Sequence, residues 1–191
     1  MESVVFMDCD GVINNREFLQ QWKMLHGEGE KSQREFMERH YLHEGYEGYV
    51  VPELLERLKW LCDETGCKIV WSSSWREQFW RKDAMTGEFG YDWHGIARLW
   101  KAKGFPLDRL IGCTPCENLS RFSYVPRGVE IQKWIEENWK RCHIGRVAIL
   151  DDDPDAAIGV EYPEARFFQT AFFHGLTQDI ADEVVGWLCQ E

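Results

Sequence analysis

The chain of 191 residues contains no apolar run approaching the ~18 residues that a membrane-spanning helix requires. Its first residues, MESVVFMDCDG, carry no basic segment and place carboxylates where a secretory signal would be apolar. No membrane association is expected, and the expected location is cytoplasmic. No block of Lys and Arg occurs, and 33 acidic residues against 22 basic ones give a formal net charge of −11. Affinity for a nucleic-acid backbone comes from cations that displace phosphate counterions. So acidic a chain is not expected to track along nucleic acid or to lie on an anionic membrane. Pro/Ser-rich linkers, low-complexity tracts and internal repeats are also missing, which leaves one domain over residues 1–191. A chain of this length buries about 70% of the surface its unfolded form exposes, so it needs no disulfide or structural metal. Seven cysteines are an odd number without a framework of pairs, and in a reducing compartment they read as buried thiols. The one CxxC, Cys113-Thr114-Pro115-Cys116, has no second pair and no histidines at zinc spacing, so ordinary packing outweighs zinc there.

Short apolar, β-rich runs alternate with helical patterns, as in an α/β fold around a parallel sheet. Strands are expected at Val4 to Met7, Lys68 to Trp71, Arg109 to Gly112, Val147 to Leu150 and Ala165 to Phe168, their continuous apolar character suiting a sheet covered on both faces. Pro52 to Asp63 reads as a helix because Pro52 suits a first-turn position and Leu54, Leu55, Leu58 and Leu61 recur at helical spacing. Gly66 ends it. Gly128 to Trp139 is a second helix, with Val129, Ile131, Ile135 and Trp139 as candidate core contacts, and Ile180 to Leu188 is a closing one. Two stretches interrupt the alternation. Residues 14–49 suggest two short amphipathic helices joined by Gly27 to Glu30, a small insertion rather than a second domain. Arg76 to Lys103 is rich in Trp, Arg and Gly, and Phe79, Trp80, Trp93 and Trp100 are expected to cover one end of the sheet.

The first strand runs directly into Asp8-Cys9-Asp10-Gly11-Val12, and the fourth into Asp151-Asp152-Asp153. Ligands of open parallel sheets bind beyond the carboxyl ends of the strands, so both clusters are expected on one rim. Carboxylates crowded there repel unless a cation or shared protons neutralise them. An oxygen-only donor set favours Mg²⁺ over zinc or copper. Either cluster alone is as well explained by a solvated turn; both together, each immediately after an apolar strand, are not. The second strand ends in Ser72-Ser73-Ser74-Trp75-Arg76, whose hydroxyls and backbone N–H groups suit a phosphoryl oxygen. Arg127-Gly128 stands at a helix start, where backbone N–H groups also favour an anion.

This order of motifs resembles the haloacid dehalogenase-like (HAD) hydrolase superfamily from Val4 to about Gly175. The SSSWR segment, Arg127 to Ile131, ILDDD and Gly175-Leu176-Thr177 are similar to the phosphatase subgroup associated with RNA-repair proteins. The resemblance implies a Rossmann-like α/β fold with a central, mostly parallel five-stranded sheet flanked by helices, and a small helical cap at about residues 14–49. It implies Asp8 as the nucleophile that forms an aspartyl-phosphate and Asp10 as the acid and then the base. Mg²⁺ would be held by Asp8, the Asp10 backbone carbonyl, Asp151 and Asp152. Ser73 is the expected motif-two hydroxyl, with Ser72 as the alternative; Ser73, Ser74 and Arg127 are the expected phosphate binders. The superfamily usually has Lys where Arg127 stands, so Lys133 is the alternative for that role. Asp153 and Asp155 read as charged turn residues.

An acid two residues after the nucleophile suits phosphate-ester hydrolysis, because an alkoxide leaving group needs a proton and a halide does not. The expected substrate is a phosphomonoester. The small insertion leaves an open site, and the subgroup resemblance favours a nucleic-acid terminal phosphate, the 3′ one, and an RNA-repair partner that the residues do not identify. Trp22, Tyr41, Trp75 and Trp93 are candidate stacking platforms, although packing is the commoner role for each. Rival readings are a small-molecule nucleotidase, a sugar-phosphate phosphatase, a phosphoacceptor domain and a non-catalytic binding domain of the same fold. Arg76 to Arg109 holds seven basic residues against five acidic ones, which reads as a local cationic excess beside the site.

Overall fold

The computed structural model describes residues 1–32, 35–36, 49–82, 89–116 and 125–190. Five strands form one sheet: β1 (Glu2–Met7), β2 (Lys68–Trp71), β5 (Leu110–Cys113), β6 (Ile144–Asp151) and β7 (Ala165–Gln169), in the order β5-β2-β1-β6-β7. Every neighbouring pair is parallel, so the sheet is parallel throughout. All five expected strands are present.

Side chains of a strand alternate between faces, and here each face has its own core. Val5, Met7, Ile69, Trp71, Ala148 and Leu150 pack on one side against three helices. These are α2 (Pro52–Thr65), α3 (Trp93–Lys103) and α5 (Gln178–Leu188). Val4, Phe6, Val70, Val147 and Ile149 pack on the other side against Ile131, Trp134 and Ile135 of α4 (Arg127–Cys142). Both faces of the central strands are therefore dry, which is why their sequences are continuously apolar.

The helix α2 begins with Pro52 in its first turn, where the missing N–H is no loss, and ends at Gly66 in the left-handed conformation. Leu54, Leu55, Leu58 and Leu61 are all buried. Along α4 the buried stripe is Ile131, Trp134 and Ile135, whereas Val129 and Trp139 are exposed. Val129 lies about 200° around the helix from Ile131, and Trp139 carries the Lys140 ammonium 5.3 Å over its ring instead of packing inward.

Within residues 14–49 the structure has α1 (Arg16–His26), capped by the Asn15 side chain, which accepts from Phe18 N. Residues 30–32 and 35–36 are helical too; residues 33–34 and 37–48, with Tyr41, lie outside the described residues. Phe18, Leu19 and Trp22 pack around Phe36, Tyr49, Val51 and Leu54. The aromatic-rich stretch contains a short antiparallel hairpin of β3 (Trp80–Lys82) and β4 (Phe89–Tyr91). Phe79 and Trp100 are buried there, and Trp93 is exposed. Among the described residues, no helix is long and apolar enough to cross a membrane.

Candidate active site

Strand register brings the polar residues that follow the strands to one rim. Met7 is paired with Trp71 and with Leu150, Trp71 with Cys113, and Asp151 with Gln169. One residue further on, Asp8 N donates to Leu150 O at 2.9 Å, Ser72 N to Met7 O at 2.9 Å, and Thr114 N to Trp71 O at 3.0 Å. Asp8, Ser72 and Thr114 therefore continue the parallel ladder and stand level with Asp151.

One carboxylate oxygen from each of Asp8, Asp151 and Asp152 falls within 4.8 Å of the others. Asp8 and Asp151 are buried. Arg127, at the start of α4, reaches both: Nη1 is 3.8 Å from Asp8 Oδ1 and Nε is 3.6 Å from Asp151 Oδ2. Its Nη1 also donates to the Ser72 carbonyl. The helix start that aims Arg127 is held by Asp155, whose Oδ2 accepts from Arg127 N at 3.3 Å. Gly128 is needed next, because a Cβ there would lie 2.3 Å from the Ile158 carbonyl oxygen. Lys133 is exposed, nearly two turns along the same helix.

Burial raises the Asp8 carboxyl from 3.8 to about 6; Arg127 and Ser73 pull it down and Asp10 pushes it up. Burial likewise raises Asp151, followed by repulsion from Asp8, with Arg127 opposing. Asp152 is shifted upward chiefly by burial as well. Desolvation opposes the charged form of each group, and one guanidinium does not cancel it. Asp8 Oδ1 is buried with no hydrogen-bond partner among the described residues. A buried oxygen of this kind, in an all-carboxylate cluster with raised proton affinity, fits a hard divalent cation such as Mg²⁺.

Asp10 is held separately. Its Oδ1 accepts from Asn14 Nδ2 at 2.7 Å and its Oδ2 from Trp75 Nε1 at 3.0 Å. Asn14 also accepts from Gly11 N at 3.0 Å, so one amide fixes both the turn and the carboxylate. Gly11 has φ +68, and a Cβ there would meet Asp152 Cβ at 2.6 Å. The glycine of the first motif is thus the surface against which the fourth motif packs. Between the two acids, Cys9 is buried and accepts from Trp71 Nε1 at 3.0 Å. Burial and the neighbouring Asp8 push its thiol well up, so it does not compete as a nucleophile.

In the serine run, Ser73 is buried, lowers the proton affinity of the Asp8 carboxyl and accepts from Trp75 N at 3.3 Å. Ser72 is also buried, but its hydroxyl meets Thr114 Oγ1 at 3.4 Å and only its carbonyl faces Arg127. Ser74 is exposed. Asp153 and Asp155 act in the turn, Asp153 Oδ1 accepting from Asp155 N at 3.0 Å.

Several contributors escaped the sequence reading. Asn14 stands at the edge of the insertion, and its only sequence signals are its spacing four residues after Asp10 and its ability to donate and accept at once. Trp75 is buried and anchors Asp10, so it is not a stacking platform. Trp22 donates to Ser32 and stacks on His26 at 4.0 Å. Arg76 is buried rather than part of a cationic surface. It pairs with buried Glu130 and donates to the carbonyls of Ser73, Thr114 and Pro115, tying the ends of β2 and β5 to α4.

Two comparisons with known proteins bear on this site. The family model described as the HAD domain in Swiss Army Knife RNA repair proteins matches residues 4–181. A search of curated proteins finds no match.

Proposed function

The chain belongs to the family of HAD domains in Swiss Army Knife RNA repair proteins, and from that premise we propose that this hydrolase is a Mg²⁺-dependent phosphomonoesterase acting on a nucleic-acid terminal phosphate, the 3′ phosphate. One observation carries the reading: Asp8, Asp151 and Asp152 converge under Arg127, while the Asp10 carboxylate is held apart by Asn14 and Trp75. That separation divides a nucleophile from an acid–base.

Asp8, Asp151, Asp152 and the Asp10 backbone carbonyl would hold the cation. When bound, Mg²⁺ supplies the positive charge that lets an anionic nucleophile approach an anionic phosphate. Arg127 binds the non-bridging oxygens, its fork suiting two of them, and the Ser73 hydroxyl steadies a third interaction at the same rim. An Asp8 oxygen attacks phosphorus, an O–P bond forms, and the ester O–P bond breaks. Asp10 gives its proton to the departing alkoxide. Asp10 then takes a proton from water as that water attacks the aspartyl-phosphate, releasing phosphate and restoring the Asp8 carboxylate. The hydrogen bonds from Asn14 and Trp75 keep the Asp10 carboxylate aimed through both transfers.

Phosphate release from 3′- and 5′-phosphorylated oligonucleotides, nucleoside monophosphates and sugar phosphates, with Mg²⁺ and with chelator, tests the proposal. The highest kcat/KM is expected on the 3′-phosphorylated end and only with Mg²⁺. A preference for a nucleoside monophosphate or a sugar phosphate replaces the substrate half of the reading, and no turnover on any of them overturns it.

A further inference from the structure

Two exposed phenylalanines on the same rim take no part in the chemistry above. Phe172 and Phe173 are 41% and 40% exposed, although burying such a ring would stabilise the fold. They stand on the loop that leaves β7, whose last residue Gln169 pairs with Asp151 and donates its side-chain amide to the Asp152 carbonyl at 3.1 Å. The loop is therefore a neighbour of the acidic cluster.

It is also firmly tied to the segment that positions Asp10. Arg16 N donates to Phe172 O at 3.2 Å, Glu17 N to Phe173 O at 3.1 Å and Leu176 N to Val12 O at 2.9 Å. Asn15 Nδ2 donates to His174 O at 2.8 Å, and the adjacent Asn14 holds Asp10 at 2.7 Å. His174 N and Gly175 N both close back on Ala171 O, at 2.9 and 2.8 Å. Rings displayed on so constrained a backbone keep a fixed place relative to Asp10.

Charge completes the arrangement. The exposed Arg16 lies with its guanidinium 5.1 Å over the Phe172 ring, a cation–π contact that leaves the positive group at the rim. The adjacent acid, Glu17, is engaged by His174 Nδ1 at 3.2 Å. In a chain whose net charge of −11 repels polyanions, a cation joined to two exposed aromatic rings beside the site is a specific combination. Aromatic faces with an interleaved cation are how single-stranded nucleic acid is gripped without regard to sequence.

We propose that Phe172, Phe173 and Arg16 form a platform for the terminal nucleoside of a single-stranded nucleic acid whose phosphate enters the site, the rings stacking on the base and Arg16 facing the neighbouring backbone phosphate. The platform deepens the phosphomonoesterase reading and rests on it. Base stacking, unlike base-edge hydrogen bonding, makes the enzyme tolerant of which base ends the strand.

The test uses two 3′-phosphorylated oligonucleotides, identical except that the terminal nucleoside carries a base in one and is abasic in the other. Wild-type kcat/KM is expected to favour the base-bearing strand about tenfold, in line with one base–aromatic stack. A Phe172→Ala/Phe173→Ala double variant reduces that ratio to near one, and Phe172→Trp with Phe173 intact retains it. Arg16→Ala lowers kcat/KM on both strands and flattens its dependence on salt. A wild-type ratio near one, or equal losses on both strands in the double variant, overturns the platform. If wild-type protein hydrolyses neither strand, the phosphatase reading falls. Anisotropy of the same strands, labelled at the 5′ end, then decides the platform: base-dependent binding that the double variant loses supports it, and base-independent binding overturns it.

Discussion

Replacing the proposed nucleophile should make the metal-free protein more stable. In the absence of a cation, ionised Asp8 is a buried charge only partly compensated by Arg127 at 3.8 Å. Its carboxyl is raised from 3.8 to about 6. At about 1.4 kcal/mol for each tenfold change in proton affinity, the ionised group opposes folding by roughly 3 kcal/mol at pH 8. The sign follows from the direction of the shift. A carboxyl whose folded value is raised contributes stability that is fully present below 3.8, and that stability is lost as the pH rises through about 6. Asp8→Asn keeps the shape, removes the charge and also relieves Asp151, which Asp8 pushes upward. The amide must still be seated beside Arg127, so a net gain of about 2 kcal/mol is the reasonable expectation. For a domain of this size that is a rise of about 4–8 °C in Tm.

The assay is thermal unfolding of wild type and Asp8→Asn with chelator at pH 8 and at pH 4.5, alongside Mg²⁺-dependent hydrolysis of p-nitrophenyl phosphate. The variant should melt higher at pH 8, the gap should narrow at pH 4.5, and hydrolysis should vanish. Added Mg²⁺ should raise the wild-type midpoint more than that of the variant, because ligation stabilises only the state that binds it. An Asp8→Asn protein that melts at or below wild type at pH 8 refutes the reasoning about burial, and unchanged turnover refutes the nucleophile.

Arg127→Ala should lower kcat by about 10²–10³, the usual loss for a group that stabilises transition-state charge, whereas Lys133→Ala should change it less than threefold; steady-state kinetics ranks them, and the reverse order would place the third motif at Lys133. Trp75→Phe removes the indole donor to Asp10 while keeping a ring in place, and should cut kcat about tenfold with a displaced pH–rate profile and little change in KM; an unaltered profile would mean that the bond does not position the acid–base. Arg76→Ala removes the buried guanidinium that pairs with Glu130 and ties three carbonyls together, and should destabilise the protein by about 3–5 kcal/mol, read by urea unfolding; a loss under 1 kcal/mol would show that the pair is not needed to join β2, β5 and α4.

The central sheet was legible because its strands are covered on both faces, and few β-rich segments other than such strands are so continuously apolar. β6 runs further than expected, from Ile144 to Asp151: Gly145 and Arg146 break the apolar pattern, and the pairing with β1 shifts register across them, Glu2 facing Ile144 and Val4 facing Val147. The hairpin of β3 and β4 was not legible: each strand has only three residues, too few to establish a period. It is pinned instead by a cross-strand ring contact between Trp80 and Tyr91, with centroids 4.7 Å apart, which depends on register. Asp8, Asp151 and Asp152 could be placed on one rim because each follows an apolar strand directly. The anchoring of Asp10 by Trp75 spans 65 positions and depends on which way an indole turns. The apparent cationic excess of Arg76 to Arg109 failed for a related reason. Counting charges treats all side chains as solvated, and Arg76 is spent inside on three carbonyls and Glu130.

The chain's acidity and its proposed substrate are reconciled by where charge is used. A protein that reads a backbone over many phosphates needs a cation for each, and a net charge of −11 works against every one of them. A protein that grips a single terminal phosphate needs positive charge only at the point of contact. In the proposed function that charge would come from Arg127, held between Asp8 and Asp151, and from the cation that the acidic cluster would bind. The remaining grip on the strand can then come from rings rather than charge, because stacking is much less weakened by the surrounding carboxylates than a long-range attraction to phosphate would be. On the proposed reading, acidity would discriminate against internal stretches of nucleic acid and leave its ends accessible, which is the selectivity that an end-processing hydrolase requires.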